Sequence, residues 1–170
     1  MGWFGMTLIE VLELLPKNHP NRAALIAQVQ QLVKAWSNFQ DKKTGLWYQI
    51  VDMGSNPENW LETSSSSMYT YVTAMAVDRG YVEKKYAAGV NRGYAGVLTK
   101  ISLDKDGQTN LTDICEGTNV ADLAYYFARK RNTNDFHGLG AFLIMNEKFM
   151  NTTLNGSSKP LFQPQKSTKS

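Results

Sequence analysis

Side chains that could grip a sugar cluster in three short runs: Gly45-Leu46-Trp47-Tyr48-Gln49, Asn59-Trp60-Leu61-Glu62-Thr63-Ser64 and Cys115-Glu116-Gly117-Thr118-Asn119. Aromatic faces such as those of Trp47 and Trp60 stack on the C–H surface of a sugar ring, while amides, hydroxyls and carboxylates fork to its hydroxyls. The mixture is therefore the composition of a carbohydrate cleft. Hydrolysis of a glycosidic bond further asks for two facing carboxyl groups, about 5–5.5 Å or about 6.5–9.5 Å apart. Glu62 and Glu116 are the carboxylates of these runs, and they are not expected to be that pair. Glu62 reads equally as a helix-start carboxylate favoured by the dipole, and Glu116 as a turn residue. Trp47 and Trp60 also read as packing beneath a loop, and Trp36 as core. His137, in Asp135-Phe136-His137-Gly138-Leu139-Gly140, reads either as a helix-start residue or as lining a site. His19, in Asn18-His19-Pro20, reads as a capping residue.

Other chemistries find no footing. The chain has no GxSxG, HExxH, GxxxxGK[ST] or strand-linked GxGxxG pattern. Its single cysteine, Cys115, excludes an intrachain disulfide. Two histidines at opposite ends do not make a metal centre. A net charge of +3, from 18 basic and 15 acidic residues spread evenly, argues for neither a nucleic-acid partner nor a membrane surface. No apolar stretch approaches the roughly 20 residues that span a bilayer. With 42% hydrophobic residues in 170, the composition is that of a globular chain.

The elements that must position these runs are helices. Residues 4–15 carry Phe4, Leu8, Ile9, Val11, Leu12 and Leu15 at helical spacing, ended by Pro16. Asn18 or His19 then caps a second helix, with Pro20 in its first turn and Leu25, Val29, Leu32, Val33, Trp36 and Phe39 as one buried stripe. Residues 46–51 read as a short extended segment or an ordered loop, since a free strand there has no evident partner. A second helix pair is predicted over 64–79 and 83–101. It is followed by a loop from Ser102 to Thr118 that turns at Asp104-Lys105-Asp106-Gly107, and by two shorter helices over 119–131 and 138–150. Residues 151–170 read as a disordered tail. Gly45 and Gly107, and likewise Met6 and Met68, are 62 positions apart, the mark of repeated helical hairpins. Either an open solenoid or a closed ring satisfies such a repeat, with 4–15, 64–79, 120–130 and 138–150 as inner helices. Six such periods need about 370 residues, so residues 1–150 are about half a ring of three hairpins. No capping residue precedes Trp3, which adds to the expectation of a longer parent chain.

Gly2-Trp3-Phe4-Gly5-Met6, Leu8-Ile9-Glu10-Val11-Leu12-Glu13-Leu14-Leu15-Pro16, His19-Pro20-Asn21-Arg22, the three runs above and His137-Gly138-Leu139-Gly140-Ala141-Phe142-Leu143 occur in order. Together they resemble the C-terminal half of unsaturated rhamnogalacturonyl hydrolases, glycoside hydrolase family 105, related to the unsaturated glucuronyl hydrolases of family 88. The resemblance implies an all-α fold, half of an (α/α)6 toroid. It also implies hydration of the 4,5-double bond of a non-reducing-end unsaturated uronic acid, which is released from a pectin-derived oligosaccharide, with no metal or organic cofactor. Trp3 matches the Trp of the family's Arg-x-x-x-Trp signature, and Gly117 and Thr118 match a loop that approaches the substrate. The substrate contacts expected in this chain are thus Trp3, Trp47, Trp60, Glu62, Gly117, Thr118 and His137. The family's catalytic Asp has no counterpart here, so the chain alone is expected to be inactive. The rival expectations are a non-catalytic carbohydrate-binding or assembly module, self-associating through uncovered helix faces, and a protein-binding helical scaffold.

Overall fold

The computed structural model describes residues 1–154, with side chains through Met150. Six α-helices carry the fold: α1 (Gly2–Leu14), α2 (Arg22–Ser37), α3 (Thr63–Asp78), α4 (Ala87–Leu98), the short α5 (Leu123–Phe127) and α6 (Phe136–Leu154). α3 packs against α1 on one side and α6 on the other, with α2 and α4 also against it. The helices α1, α3 and α6 therefore form an inner row, with α2 and α4 outside. Thirteen of the sixteen residues of α3 are buried, which its small polar side chains permit. Ser66 Oγ and Ser67 Oγ donate back to the carbonyls of Glu62 and Thr63, so these hydroxyls carry their own partners into the core. Met6 and Met68, the pair set by the repeat, are both buried, and Gly45 and Gly107 share a left-handed backbone, φ 78° and 76°.

Several expectations are corrected. α2 starts at Arg22 with Asn21 as its flanking residue, because His19 and Pro20 form a separate turn in which His19 Nδ1 accepts from the Asn21 N–H. Phe39 leaves the buried stripe and is exposed, whereas Val29, Val33 and Trp36 are buried. The extended segment does have a partner: β1 (Trp47–Tyr48) pairs antiparallel with β2 (Leu61–Glu62), Trp47 opposite Glu62. The loop from Ser102 is in part a hairpin, β3 (Ile101–Leu103) on β4 (Thr109–Leu111), closed by the turn at Asp104–Gly107. A third ladder joins β5 (Ile114–Cys115) to β6 (Arg131–Asn132). The run 119–131 holds only the five residues of α5, none of them buried, so it is no inner helix. Val120, Leu123, Ala124 and Phe127 have the spacing of an apolar face, but none of them is buried. What stands are two full hairpins, α1 with α2 and α3 with α4, plus α6 as a third inner helix. α6 continues four residues past the boundary expected at 150, and the rest of the expected tail lies outside the described residues.

The arc has two uncovered apolar ends. At one, α1 exposes Trp3, Phe4, Val11 and Leu14; at the other, α6 exposes Phe136, Leu143, Ile144 and Met150.

Candidate functional site

Each ladder lies where one outer helix hands over to the next inner helix, and the hand-overs are stitched together on one rim. Glu62 is the stitch. Its side chain is 2% exposed and caps α3: Oε1 accepts from the Ser64 N–H (3.0 Å) and hydroxyl (2.8 Å), and Oε2 from the Ser65 N–H (2.5 Å). Oε1 also accepts from the Cys115 N–H of β5 at 2.9 Å. Two further bonds cross the same seam, from the Thr63 N–H to the Asp113 carbonyl and from Thr63 Oγ1 to the Thr112 carbonyl.

Beside this seam opens a cleft of about 220 Å³, lined by Trp3 of α1, Glu62, Ser64, Ser65 and Tyr69 of the α3 start, Cys115–Thr118, Tyr126, Gln49 and His137. Five of the residues expected to contact substrate thus meet in one place: Trp3, Glu62, Gly117, Thr118 and His137. Trp3 is half exposed. The Gly117–Thr118 loop is held by Arg129, which donates to the Gly117 carbonyl at 2.6 Å, and by Thr118 Oγ1 donating to the Glu116 carbonyl at 2.8 Å. Glu116 is occupied in the same loop, accepting from the Lys130 N–H at 2.9 Å and pairing with Arg129 at 3.1 Å. His137 Nδ1 lies 2.8 Å from Asp135 Oδ1. Its N–H and side chain, with Asn132, hold the Asp135 carboxyl below the usual carboxylate value.

Trp47 and Trp60 are not in the cleft. Trp47 is 3% exposed, with its indole N–H donating to the Trp36 carbonyl at 2.7 Å and its ring edge-on to Tyr69. Trp60 is 7% exposed beneath the guanidinium of Arg131, 4.9 Å from the ring centre. Trp47 packs in the hydrophobic core beneath the rim, and Trp60 is covered at the rim by Arg131. His19 lies in the turn before α2, outside the cleft and not as its cap.

Spacing could have found residues that type alone missed. Ser64 and Met68, and Ser65 and Tyr69, are four apart on one face of α3, so choosing Ser64 as a rim residue brings the others with it. Burial, and then the charge of Glu62, push the Tyr69 phenol well above its ordinary value. Burial likewise raises the Cys115 thiol, against a hydrogen bond with Thr118, so it is protonated at neutral pH. Gln49 Oε1 and Ser65 Oγ are buried with no hydrogen-bond partner among the described residues. Gln49, Tyr69, Tyr126 and Met1 also line an adjoining, more apolar cavity of about 460 Å³ against Leu32, Trp36 and Phe39. Among the described residues, no group of three or more His, Cys, Asp or Glu side chains could hold a metal ion.

The arc has counterparts among known proteins. A glycoside hydrolase of family 105 from C. acetobutylicum superposes with a TM-score of 0.83 at 34% identity, over 88% of this chain and 44% of that one. A structure from Klebsiella pneumoniae, described as a possible member of family 105, gives 0.74 at 27% identity over 89% of this chain and 38% of its own. A 24.9 kDa protein in the picA locus of Rhizobium radiobacter is 28% identical over 161 residues, 85% of this chain and 67% of that protein. The chain spans less than half the length of the two solved structures, and its helices form an arc of the same helical toroid. The family described as Glycosyl Hydrolase Family 88 matches residues 1–152, nearly the whole of the arc and its cleft, and the chain belongs to that family.

Proposed function

We propose that this chain supplies the sugar-binding side of a cleft in which a 4,5-unsaturated uronic acid at the non-reducing end of a pectin-derived oligosaccharide is hydrated and released. In that reaction a proton adds to C4 and water to C5. The resulting hemiketal opens, and the remaining sugar leaves through its own hydroxyl. The observation that carries the division of labour is the state of the two carboxylates lining the cleft. Glu62 is spent on four donors and Glu116 on Arg129 and a backbone N–H, so neither is free to give a proton to carbon. Trp3 offers a half-exposed ring for stacking, and Thr118 and His137 offer polar contacts at the same cleft. The proton donor then comes from outside these residues.

The test uses Trp3 itself. The other three tryptophans are at most 7% exposed, so a change of fluorescence on adding an unsaturated rhamnogalacturonan disaccharide reports on Trp3 and disappears in Trp3→Phe. The chain alone is expected to bind without consuming the ultraviolet absorbance of the conjugated enol ether. Turnover by the 170-residue chain, or binding indifferent to Trp3, sinks the reading.

The apolar ends of α1 and α6 favour a second reading, an assembly module that completes its ring through association. It differs from the first in expecting no sugar-dependent change at Trp3.

A further inference from the structure

His137 reaches the cleft from the first turn of α6 with one ring nitrogen already committed. Nδ1 lies 2.8 Å from Asp135 Oδ1, and the same oxygen accepts the His137 N–H at 3.0 Å. Asp135 Oδ2 accepts from Asn132 Nδ2 at 3.0 Å, so the carboxylate is clamped from the β6 side as well. The other edge of the ring faces the substrate loop: a methyl group built on Gly117 would sit 3.6 Å from Nε2. The remaining cleft carboxylates are engaged elsewhere, Glu62 with α3 and β5 and Glu116 with Arg129 and Lys130. Asp135 is the carboxylate that His137 meets among the described residues.

An ionised carboxylate only accepts hydrogen bonds, so the 2.8 Å contact requires the hydrogen on Nδ1. In the neutral imidazole, Nε2 is then a bare lone pair. We infer that Asp135 is a positioning residue that fixes the Nδ1–H tautomer of His137 and turns Nε2 into a hydrogen-bond acceptor for a sugar hydroxyl or a water in the cleft. What the lone pair receives rests on the uronate reading of the cleft; the tautomer does not. A purely structural role is the alternative, since Asp135 also stands at the start of α6, where its carbonyl accepts from the N–H groups of Gly138 and Leu139.

Asp135→Ser separates the two roles, because Ser also caps a helix but its hydroxyl stops one bond short of the Oδ1 position and does not reach Nδ1. With only two histidines in the chain, a long-range proton–nitrogen NMR spectrum resolves both rings, and His137→Gln assigns them. The wild-type chain is expected to show His137 protonated on Nδ1. D135S is expected to shift it substantially to Nε2–H. An Nε2–H wild type, or a tautomer indifferent to D135S, overturns the inference. The second readout is D-galacturonate affinity. D135S is expected to weaken it about tenfold, and H137Q, whose amide oxygen can stand near the Nε2 position, within about threefold. Adding D135S to H137Q is expected to cost nothing further, and an undiminished loss there assigns Asp135 a structural role and overturns the inference. If galacturonate does not bind the wild type at all, the uronate reading fails, and the tautomer measurement still decides the role of Asp135.

Discussion

Replacing Glu62 with Gln changes one oxygen into an amide group at the most heavily bonded side chain of the rim. Oε1 serves three donors, so the amide oxygen takes that place and keeps the bonds from Ser64 and Cys115. The NH2 group then stands where Oε2 accepts from the Ser65 N–H at 2.5 Å, and two donors face each other in a site that is 2% exposed. The variant loses one charge-assisted hydrogen bond and the helix-dipole attraction of a carboxylate, and strands a buried N–H, a total cost of about 2–4 kcal/mol. For a chain of this size that is a fall in melting temperature of about 5–15 °C. Urea unfolding followed by the fluorescence of the buried tryptophans measures it, provided the transition is two-state. Because Cys115 hangs on the same carboxylate, uronate affinity is expected to fall with stability. Unfolding of E62Q within about 0.5 kcal/mol of the wild type refutes the idea that this carboxylate holds the seam.

The two glycines of the repeat separate backbone strain from crowding. Both have left-handed φ, but a methyl group on Gly45 would lie 2.2 Å from the Arg92 carbonyl, while nothing lies within 4 Å of one on Gly107. Gly107→Ala is expected to cost about 1–2 kcal/mol and Gly45→Ala more than about 3 kcal/mol by denaturant titration, and equal costs contradict the contact. Asp113 responds to acid: burial would raise its pKa, but hydrogen bonds from Lys100 and Arg131 hold it below the ordinary 3.8. Its stabilising contribution is complete above that value and is lost as pH falls through the lowered folded value. Stability curves from pH 6 to 2 are expected to fall less steeply in Asp113→Asn, and parallel curves exclude the role. The apolar ends are expected to make the chain associate with rising concentration in light scattering, and Leu143→Glu with Ile144→Glu to reduce that association; a monomer at every concentration counts against assembly through α6.

Three of the four inner helices expected were legible because their pattern is long and regular, and the fourth, 120–130, is not an inner helix. α3 was expected over 64–79 and runs Thr63–Asp78, and the 62-residue offset placed both methionines and both left-handed glycines. The three ladders were not legible. A strand of two or three residues has no alternation to read, and the partners Trp47 and Glu62 are joined by the long loop 49–60, not by a tight hairpin turn. The same limit explains the tryptophans. Trp3, Trp47 and Trp60 look alike as residue types, and only the direction each backbone segment gives its side chain sends Trp3 to the cleft, Trp47 to the core and Trp60 beneath Arg131. Glu62 was read both as a sugar contact and as a helix-start carboxylate. It lines the cleft and is held by the helix, which follows from Ser64 and Ser65 immediately after it.

The seam at Glu62 also sets a clock on synthesis. Its fourth donor, the Cys115 N–H, is made 53 residues later, so at about 5–20 residues per second a ribosome needs about 3–10 s between the two. During that interval α3 can form its own cap, but the Thr63 N–H and hydroxyl still await the carbonyls of Asp113 and Thr112. The cleft is therefore a late event in the life of the nascent chain, closed from its downstream side after both helical hairpins have been made.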